Sequence, residues 1–154
     1  MVKVQVPATT ANFGPGFDCL GASLGLYNQI EIEFSNKPEV IVTGEGASDT
    51  PLDETNLVYQ AASRVLEKGN INKPLKITLN NNIPLARGLG SSAACIAGAL
   101  VATNHLLGDI LDNNELIKIG TEMEGHPDNV VPAIVGGFCL SMVYENKVYY
   151  KKFP

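Results

Sequence analysis

Alternating apolar and polar positions predict the first strands of this chain. Valines alternate with polar residues over 2–6, which predicts a strand that ends at Pro7. The same alternation over 22–34 predicts a second, longer strand. Residues 39–43 form a third apolar run, and the turn-forming residues before it favour pairing of this strand with the second one.

The stretch between the first two strands is expected to be a loop, because residues 8–21 are rich in Thr, Asn, Gly and Pro. The loop also contains Phe13 and Phe17, which we expect to be buried. Asn12 and Asp18 lie in the same loop and are candidates for holding a polar ligand by directed hydrogen bonds and one negative charge. The alternative for these two residues is an Asx-turn with a cap, which requires no ligand.

Four helices are predicted further along the chain. Thr55 is expected to cap the first helix, whose apolar stripe stops near Gly69. The second helix, over 91–107, is small and apolar on nearly every side, so we expect it to be buried in the middle of the domain. Asp112 and Glu115 predict a capping box at the start of the third helix. The remaining predicted elements are a strand over 75–79, a fourth helix over 130–134 and a closing hairpin over 138–143 and 147–152.

These elements predict an α+β domain in which an antiparallel or mixed sheet carries its helices on one face. The length of 154 residues suits one domain, and 45% hydrophobic with 18% charged residues argues against disorder. The net charge of −5 argues against nucleic acid as the principal partner. Three widely spaced cysteines fit a reducing compartment, and we find neither a secretory pattern nor an apolar run long enough for a membrane span. We therefore expect a cytoplasmic protein.

A glycine-rich segment before the second helix is the strongest candidate for chemistry. Gly88 and Gly90 let the backbone turn tightly and approach a ligand, and the helix that follows directs unpaired N–H groups into the loop. Ser91 and Ser92 can cap this helix, and a hydroxyl there can also bind Mg²⁺. The alternative is a plain glycine turn before a buried helix. The candidate anion-binding residues are Pro84, Leu85, Ala86, Arg87, Gly88, Leu89, Gly90, Ser91, Ser92, Ala93 and Ala94.

A further cluster lies at the joint between the third and fourth helices. Residues 122–129 hold three carboxylates, a His and an Asn. One carboxylate can complete a Mg²⁺ site, because Mg²⁺ needs only one or two protein oxygens beside substrate phosphates. His126 and Asn129 are candidates for contacting a substrate. The alternative for His126 is a position just before the first helical turn, where Pro127 would begin the helix.

Taken in order along the chain, these three segments resemble the GHMP kinases, a superfamily that includes galactokinase, mevalonate kinase and homoserine kinase. Residues 84–93 match the phosphate loop of that superfamily, Pro-x-x-x-Gly-Leu-Gly-Ser-Ser-Ala, throughout. Residues 7–18 and 124–133 resemble the homoserine kinase family within it. The resemblance implies the ribosomal protein S5 domain 2-like fold, with an unusual left-handed βαβ crossover.

The resemblance also implies a reaction, in which the γ-phosphoryl group of ATP passes to the hydroxyl of L-homoserine. The product is O-phospho-L-homoserine, in threonine biosynthesis. Backbone amides of residues 86–92 would hold the ATP phosphates. The other implied roles are Mg²⁺ binding by Ser92 and Glu124, a place near the adenine for Asn56, and homoserine binding by Asn12, Asp18, His126 and Asn129. Asp18 would face the homoserine ammonium, and His126 and Asn129 are the candidate catalytic residues. No residue stands out as the base.

Members of this family carry a second, C-terminal domain that completes the cleft. Residues 1–154 are therefore expected to be the N-terminal, ATP-binding domain of a longer kinase, with the C-terminal GHMP domain outside this chain. We expect the isolated domain to phosphorylate homoserine poorly or not at all. The oligomeric state is open, with a homodimer as one candidate.

Two other functions stay open at this point. One is that of another small-molecule kinase of the superfamily, such as a mevalonate-type enzyme, against which the 7–18 and 124–133 segments argue. The other is a non-catalytic S5-like domain that binds a partner or RNA, against which the net charge of −5 and the intact phosphate loop argue.

Overall fold

The structure is a computed structural model that describes residues 1–153. Over these residues the chain forms six strands and four helices, which confirms the α+β class. The strands are β1 (Val2–Ala11), β2 (Leu20–Phe34), β3 (Glu39–Gly44), β4 (Leu75–Asn81), β5 (Phe138–Tyr144) and β6 (Lys147–Phe153). The helices are α1 (Leu57–Lys68), α2 (Ser91–Leu106), α3 (Asn113–Glu124) and α4 (Pro127–Val135).

The long strand β2 organises the sheet. One edge of β2 pairs antiparallel with β1, and its other edge is shared by β4 towards the C-terminal end and β5 at the N-terminal end. β3 pairs parallel with β4, and β6 pairs antiparallel with β5. Followed from one hydrogen-bonded neighbour to the next, the strands run β3-β4-β2-β5-β6. β1 lies on the edge of β2 opposite to β4 and β5, and the sheet is mixed as expected.

The prediction for the end of β1 is wrong. The strand does not end at Pro7 but continues to Ala11, with an irregular register between Pro7 and Thr9. Proline is tolerated here because β1 is an edge strand, paired with β2 alone among the described strands. The loop that follows is consequently shorter than expected and runs over residues 12–19.

The predicted pairing of β3 with β2 is also wrong. β3 lies parallel to β4, and α1 connects the two strands, which gives a βαβ unit. β4, and not β3, pairs with β2. The handedness of this crossover stays a prediction.

Helix α2 is confirmed as the buried central helix. It contacts β1, β2 and all three other helices, and every residue from Ala93 to Leu100 is buried. A Cβ placed on Gly98 would lie 2.6 Å from Cδ1 of Ile30, so the absence of a side chain lets the helix approach the sheet closely. The N-terminus of α2 is thus held on a well-packed scaffold.

The cap of α1 differs from the prediction. Asn56, not Thr55, is the N-cap, and its Oδ1 accepts a hydrogen bond from the Val58 backbone N–H at 2.9 Å. Thr55 instead donates its backbone N–H and hydroxyl to Asp53, and these bonds lower the pKa of the Asp53 carboxyl.

Among residues 1–153, no helix combines the length and the apolar character needed to cross a membrane.

Candidate active site

The predicted phosphate loop connects β4 to α2 and has an unusual backbone. Ala86, Gly88 and Gly90 all adopt positive φ angles, of 53°, 68° and 60°. Left-handed residues that alternate with ordinary ones are typical of backbone concavities that bind anions. Residues 85–88 are exposed, so a ligand can reach this backbone.

Ser91 and Ser92, the two candidates for capping α2, do not cap it. The N-cap is Gly90, which has no side chain and makes no side-chain hydrogen bond to the helix. The hydroxyl of Ser91 is buried and, within the described part of the chain, has no hydrogen-bond partner. The first N–H groups of α2 are therefore not satisfied by a side-chain cap.

Ser92 and Glu124 meet across two helices, as the metal-binding prediction requires. The Ser92 hydroxyl donates to Oε2 of Glu124 at 2.9 Å. Glu124 is the last residue of α3, and Gly125 ends that helix in a left-handed conformation. The helix joint thereby brings one carboxylate to the phosphate loop.

Asn56 contributes to a pocket beside this loop. The pocket has a volume of about 270 Å³, and its walls also include Leu85, Ser91 and Ser92. Asn56 is 2% exposed, and its side-chain amide donates to the carbonyl of Pro51. It therefore shapes the wall of the pocket and caps α1 at the same time.

Cys95 lines the same pocket one turn further into α2. Burial raises the pKa of its thiol to about 11. Repulsion from the Glu124 carboxylate also raises this pKa, and a hydrogen bond from Asn28 lowers it. The thiol is therefore protonated at neutral pH and contributes an uncharged surface.

Larger pockets lie elsewhere on the chain. One of about 410 Å³ is formed between α1 and the segment before β4, and it includes Tyr59 and Pro74. None of the predicted site residues lines it. Volume therefore does not identify the site, whereas the predicted motifs converge at the start of α2.

The loop with Asn12 and Asp18 is closed by a hydrogen bond between these two residues, which is not the Asx-turn of the alternative, because an Asx-turn bonds to the backbone two residues on. Oδ1 of Asn12 accepts the backbone N–H of Asp18 at 2.9 Å, and both residues have positive φ angles. This bond leaves the Asp18 side chain exposed. Asn12 therefore shapes the loop, and the Asp18 carboxylate is free for a ligand.

The expectation that Phe13 and Phe17 are buried is wrong, since they are 39% and 72% exposed.

His126 and Asn129 occupy the start of α4. His126 is the N-cap without a side-chain capping bond, and Pro127 begins the helix, as the helix-start alternative describes. His126 is exposed and Asn129 is half-buried. A Cβ placed on Gly90 would lie 3.0 Å from Oδ1 of Asn129, so this side chain packs directly on the phosphate loop.

The structure thus joins some of the predicted residues and leaves others apart. The phosphate loop contacts Asn129, and its first helical turn contacts Glu124. Among residues 1–153, no hydrogen bond joins the Asn12–Asp18 loop to His126 or Asn129.

Two buried polar residues at this site, Thr9 and Asp128, had no role assigned from the sequence, although Asp128 is one of the three carboxylates of residues 122–129. Thr9 donates its hydroxyl to Oδ1 of Asn129 at 2.8 Å, and Oδ1 of Asp128 accepts from the Asn129 backbone and side-chain amides. A strand that ends at Pro7 would leave Thr9 in the following loop, whereas Thr9 lies within β1. The closeness of Asp128 to Asn129 in the chain was the one available signal.

The fold and this arrangement agree with the family comparison. Residues 56–137 match the family model described as GHMP kinases N terminal domain, which covers more than half of the chain. The chain therefore belongs to the GHMP kinases, as its phosphate loop indicated.

The most similar curated relatives include homoserine kinases. That of Moorella thermoacetica is 53% identical over 92% of this chain and 48% of its own length. That of Petrotoga mobilis is 51% identical over 99% of this chain and 50% of its own length. The chain thus spans about half the length of the curated relatives it matches.

Solved structures of GHMP kinases are similar to this chain as well. The homoserine kinase of Cytophaga hutchinsonii has a TM-score of 0.87 and 34% identity, and the match covers 99% of this chain and 51% of that one. A mevalonate kinase structure has a TM-score of 0.76 at 20% identity, covering 100% of this chain and 56% of that one, which shows the shared fold alone.

Proposed function

We propose that this chain is the N-terminal, ATP-binding domain of a homoserine kinase, an enzyme that transfers the γ-phosphoryl group of ATP to the hydroxyl of L-homoserine. The supporting observation is the meeting of two motifs, the phosphate loop and the 124–133 segment, at the start of α2. The open phosphate loop lies there, Glu124 is bonded to Ser92, and Asn129 packs against Gly90. The names of the curated relatives support homoserine as the acceptor.

The phosphates of ATP would bind at residues 86–92. The free N–H groups and the positive end of the α2 dipole favour an anion there. The adenosine end would extend into the pocket that Asn56 and Leu85 line. The predominantly apolar character of such pockets suits a flat heterocycle.

Mg²⁺ would be held by the Ser92 hydroxyl and the Glu124 carboxylate. Their 2.9 Å contact puts two hard oxygen donors together beside the phosphate loop. Within the described residues there is no cluster of three or more His, Cys, Asp or Glu that could bind a metal. Two protein oxygens nevertheless suit Mg²⁺, because it takes its remaining ligands from substrate phosphates and water. The ion would neutralise charge on the phosphates.

Homoserine would bind between the Asn12–Asp18 loop and the start of α4. The exposed Asp18 carboxylate offers a partner for the ammonium group, and Asn12 holds the loop in shape. His126 and Asn129 would orient the acceptor hydroxyl. Phosphoryl transfer depends mainly on positioning and charge neutralisation, so the proposal assigns no residue as base.

The rest of the enzyme would be a second domain, since the relatives are about twice as long as this chain. That domain would complete the acceptor side of the cleft. We expect residues 1–154 in isolation to turn over homoserine poorly. Cytoplasmic location and a homodimer stay predictions.

An acceptor panel with the full-length protein tests the proposal. With Mg·ATP we expect L-homoserine to be phosphorylated with a kcat/KM of roughly 10⁴ M⁻¹ s⁻¹ or more, as for ordinary enzymes. Phosphorus NMR should identify the product as a phosphomonoester of homoserine. L-2-aminobutyrate, which has the same skeleton without the hydroxyl, is the matched control and should give no product. Preference for mevalonate would identify a different GHMP kinase, and Mg·ATP binding without turnover of any acceptor would indicate a binding domain.

A further inference from the structure

Thr9 lies where three parts of the candidate site meet. It is 0% exposed, in the segment of β1 that continues past Pro7. Its backbone N–H donates to the carbonyl of Leu89 in the phosphate loop at 3.0 Å. Its hydroxyl donates to Oδ1 of Asn129 on α4 at 2.8 Å. Thr9 therefore forms hydrogen bonds both to the phosphate loop and to Asn129, the side chain proposed to bind the acceptor.

The amide of Asn129 is held at both ends. Oδ1 accepts from Thr9, and Nδ2 donates to Oδ1 of Asp128 at 3.3 Å. Asp128 is 3% exposed and also accepts the backbone N–H of Asn129 at 2.9 Å. The two ends of an Asn amide have nearly the same shape but opposite hydrogen-bonding character. A donor on one side and an acceptor on the other therefore select one orientation of this amide.

The phosphate loop packs against the same pair of side chains. A Cβ placed on Gly90 would lie 2.0 Å from the Thr9 hydroxyl oxygen and 3.0 Å from Oδ1 of Asn129. The loop can approach this closely because residue 90 is a glycine. A movement of Thr9 would therefore shift both Asn129 and the loop.

We propose that Thr9 is a positioning residue, which fixes the orientation of the Asn129 amide and its distance from the phosphate loop. This inference rests on the proposed function, in which the loop binds ATP and Asn129 orients the acceptor. The remaining hydrogen of Nδ2 and the remaining lone pair of Oδ1 then face the acceptor in a defined arrangement. Removal of the hydroxyl leaves the amide held by Asp128 alone and impairs the use of the acceptor more than the binding of ATP.

Three variants of the full-length enzyme test this inference. Thr9→Val keeps the shape but deletes the hydroxyl, and Thr9→Ser keeps the hydroxyl. Thr103→Val is the matched control, because Thr103 is also 0% exposed and donates its hydroxyl to a carbonyl, that of Ala99 at 2.7 Å within α2. We expect Thr9→Val to lower kcat/KM for homoserine about tenfold or more, the equivalent of one hydrogen bond, with little change in the Mg·ATP Kd. Thr9→Ser should recover most of the loss, and Thr103→Val should lower the Tm without a kinetic effect.

A double variant and an NMR signal keep the test decisive. In an Asn129→Ala background, Thr9→Val should cause no further loss of kcat/KM, because Thr9 acts through Asn129. The side-chain amide signals of Asn129 should shift or broaden in Thr9→Val and stay near wild-type positions in Thr9→Ser. Undisturbed kinetics in Thr9→Val, or equal losses in Thr9→Ser and Thr9→Val, would overturn the inference. The NMR result does not require homoserine turnover, so failure of the proposed function in the acceptor panel would be seen separately.

Discussion

The N-termini of α2 and α3 are built in opposite ways. At α3, Oδ1 of Asp112 accepts the Glu115 backbone N–H at 2.9 Å, and Oε2 of Glu115 accepts the Asp112 N–H at 3.1 Å. At α2 the N-cap is Gly90, and no side chain caps the helix. Of the two nearest hydroxyls, that of Ser92 donates to Glu124, and that of Ser91 has no hydrogen-bond partner among the described residues.

The difference indicates which helix end is available to a ligand. A capping box typically contributes about 0.5–2 kcal/mol to stability, and α2 forgoes this contribution. Its N-terminus is instead stabilised by burial of the helix body on all sides. The open N–H groups then serve an anion better than a capped end does, because they need not first give up a partner.

The largest effect is expected from Gly88→Ala. A Cβ at Gly88 would meet no protein atom within 4 Å, so the methyl group would enter the open side of the loop, where the phosphates are proposed to bind. We expect the Mg·ATP Kd of the full-length protein to rise about tenfold or more, with a loss of stability of about 1–2 kcal/mol from the positive φ. Calorimetric titration and thermal unfolding measure the two effects.

Gly108→Ala is the matched control for Gly88→Ala. Gly108 also has a positive φ, of 81°, and open space around its Cβ position, but it lies beyond the C-terminal end of α2. Its substitution should lower stability by a similar amount and leave the Kd unchanged. Equal Kd changes in both variants would mean that backbone strain, and not the phosphate site, explains the result. Gly90→Ala is a poorer probe, because its methyl group would clash with Thr9 inside the protein.

Ser92→Ala should have the next largest effect, on turnover. It deletes one of the two oxygens proposed to bind Mg²⁺ and leaves the backbone amides in place. We expect lower kcat and a higher Mg²⁺ concentration at half-maximal rate. Ser63→Ala, which removes a hydroxyl bonded to Tyr59 O in α1, should leave both unchanged. An unchanged Mg²⁺ dependence in Ser92→Ala would remove Ser92 from the metal site.

Asp18→Asn should selectively raise the KM for homoserine. The substitution removes the charge proposed to face the ammonium group, and hydrogen bonds to charged groups contribute about 1.5–3 kcal/mol. The control is Asp109→Asn, since Asp109 is likewise exposed and has a positive φ, of 60° against 56° for Asp18. If Mg·ATP affinity falls as much as homoserine affinity, the assignment of the Asn12–Asp18 loop to the acceptor is wrong.

The smallest functional effect is expected from Asp112→Ala. It removes the α3 cap and should lower the free energy of unfolding by about 0.5–2 kcal/mol. Mg·ATP affinity should not change, because this N-terminus is satisfied by its own side chains. A higher Mg·ATP Kd would show that the two helix ends are coupled, and it would contradict the proposed difference between them.

Elements with strong local patterns were predictable from the sequence. The apolar run of α2 and the spacing of Asp112 and Glu115 predict a buried helix and a capping box, and both are present. The pairing of β3 was not predictable, because it depends on β4 taking the adjacent edge of β2. The extent of β1 was misjudged since Pro7 ends a strand in most positions but not at a sheet edge.

The candidate site was predictable in its motifs and not in its contacts. The phosphate loop was found from its glycines and serines, but the cap at Gly90 depends on a left-handed backbone that residue types did not specify. The roles of Thr9 and Asp128 were not predictable, because each depends on a hydrogen bond with Asn129. Phe13 lies partly against Phe138, at a ring-centroid distance of 5.6 Å, and this surface contact has no local signature.

Backbone amide NMR of the wild-type full-length protein tests the central claim most directly, because it reports on both helix ends in one sample. The protein is titrated with a non-hydrolysable Mg·ATP analogue, and the shifts of residues 86–92 are compared with those of residues 113–116. We predict that the largest shifts fall on residues 86–92, with residues 113–116 unmoved. Saturable binding that leaves the amides of 86–92 unperturbed would contradict the claim that the open N-terminus of α2 holds the phosphates.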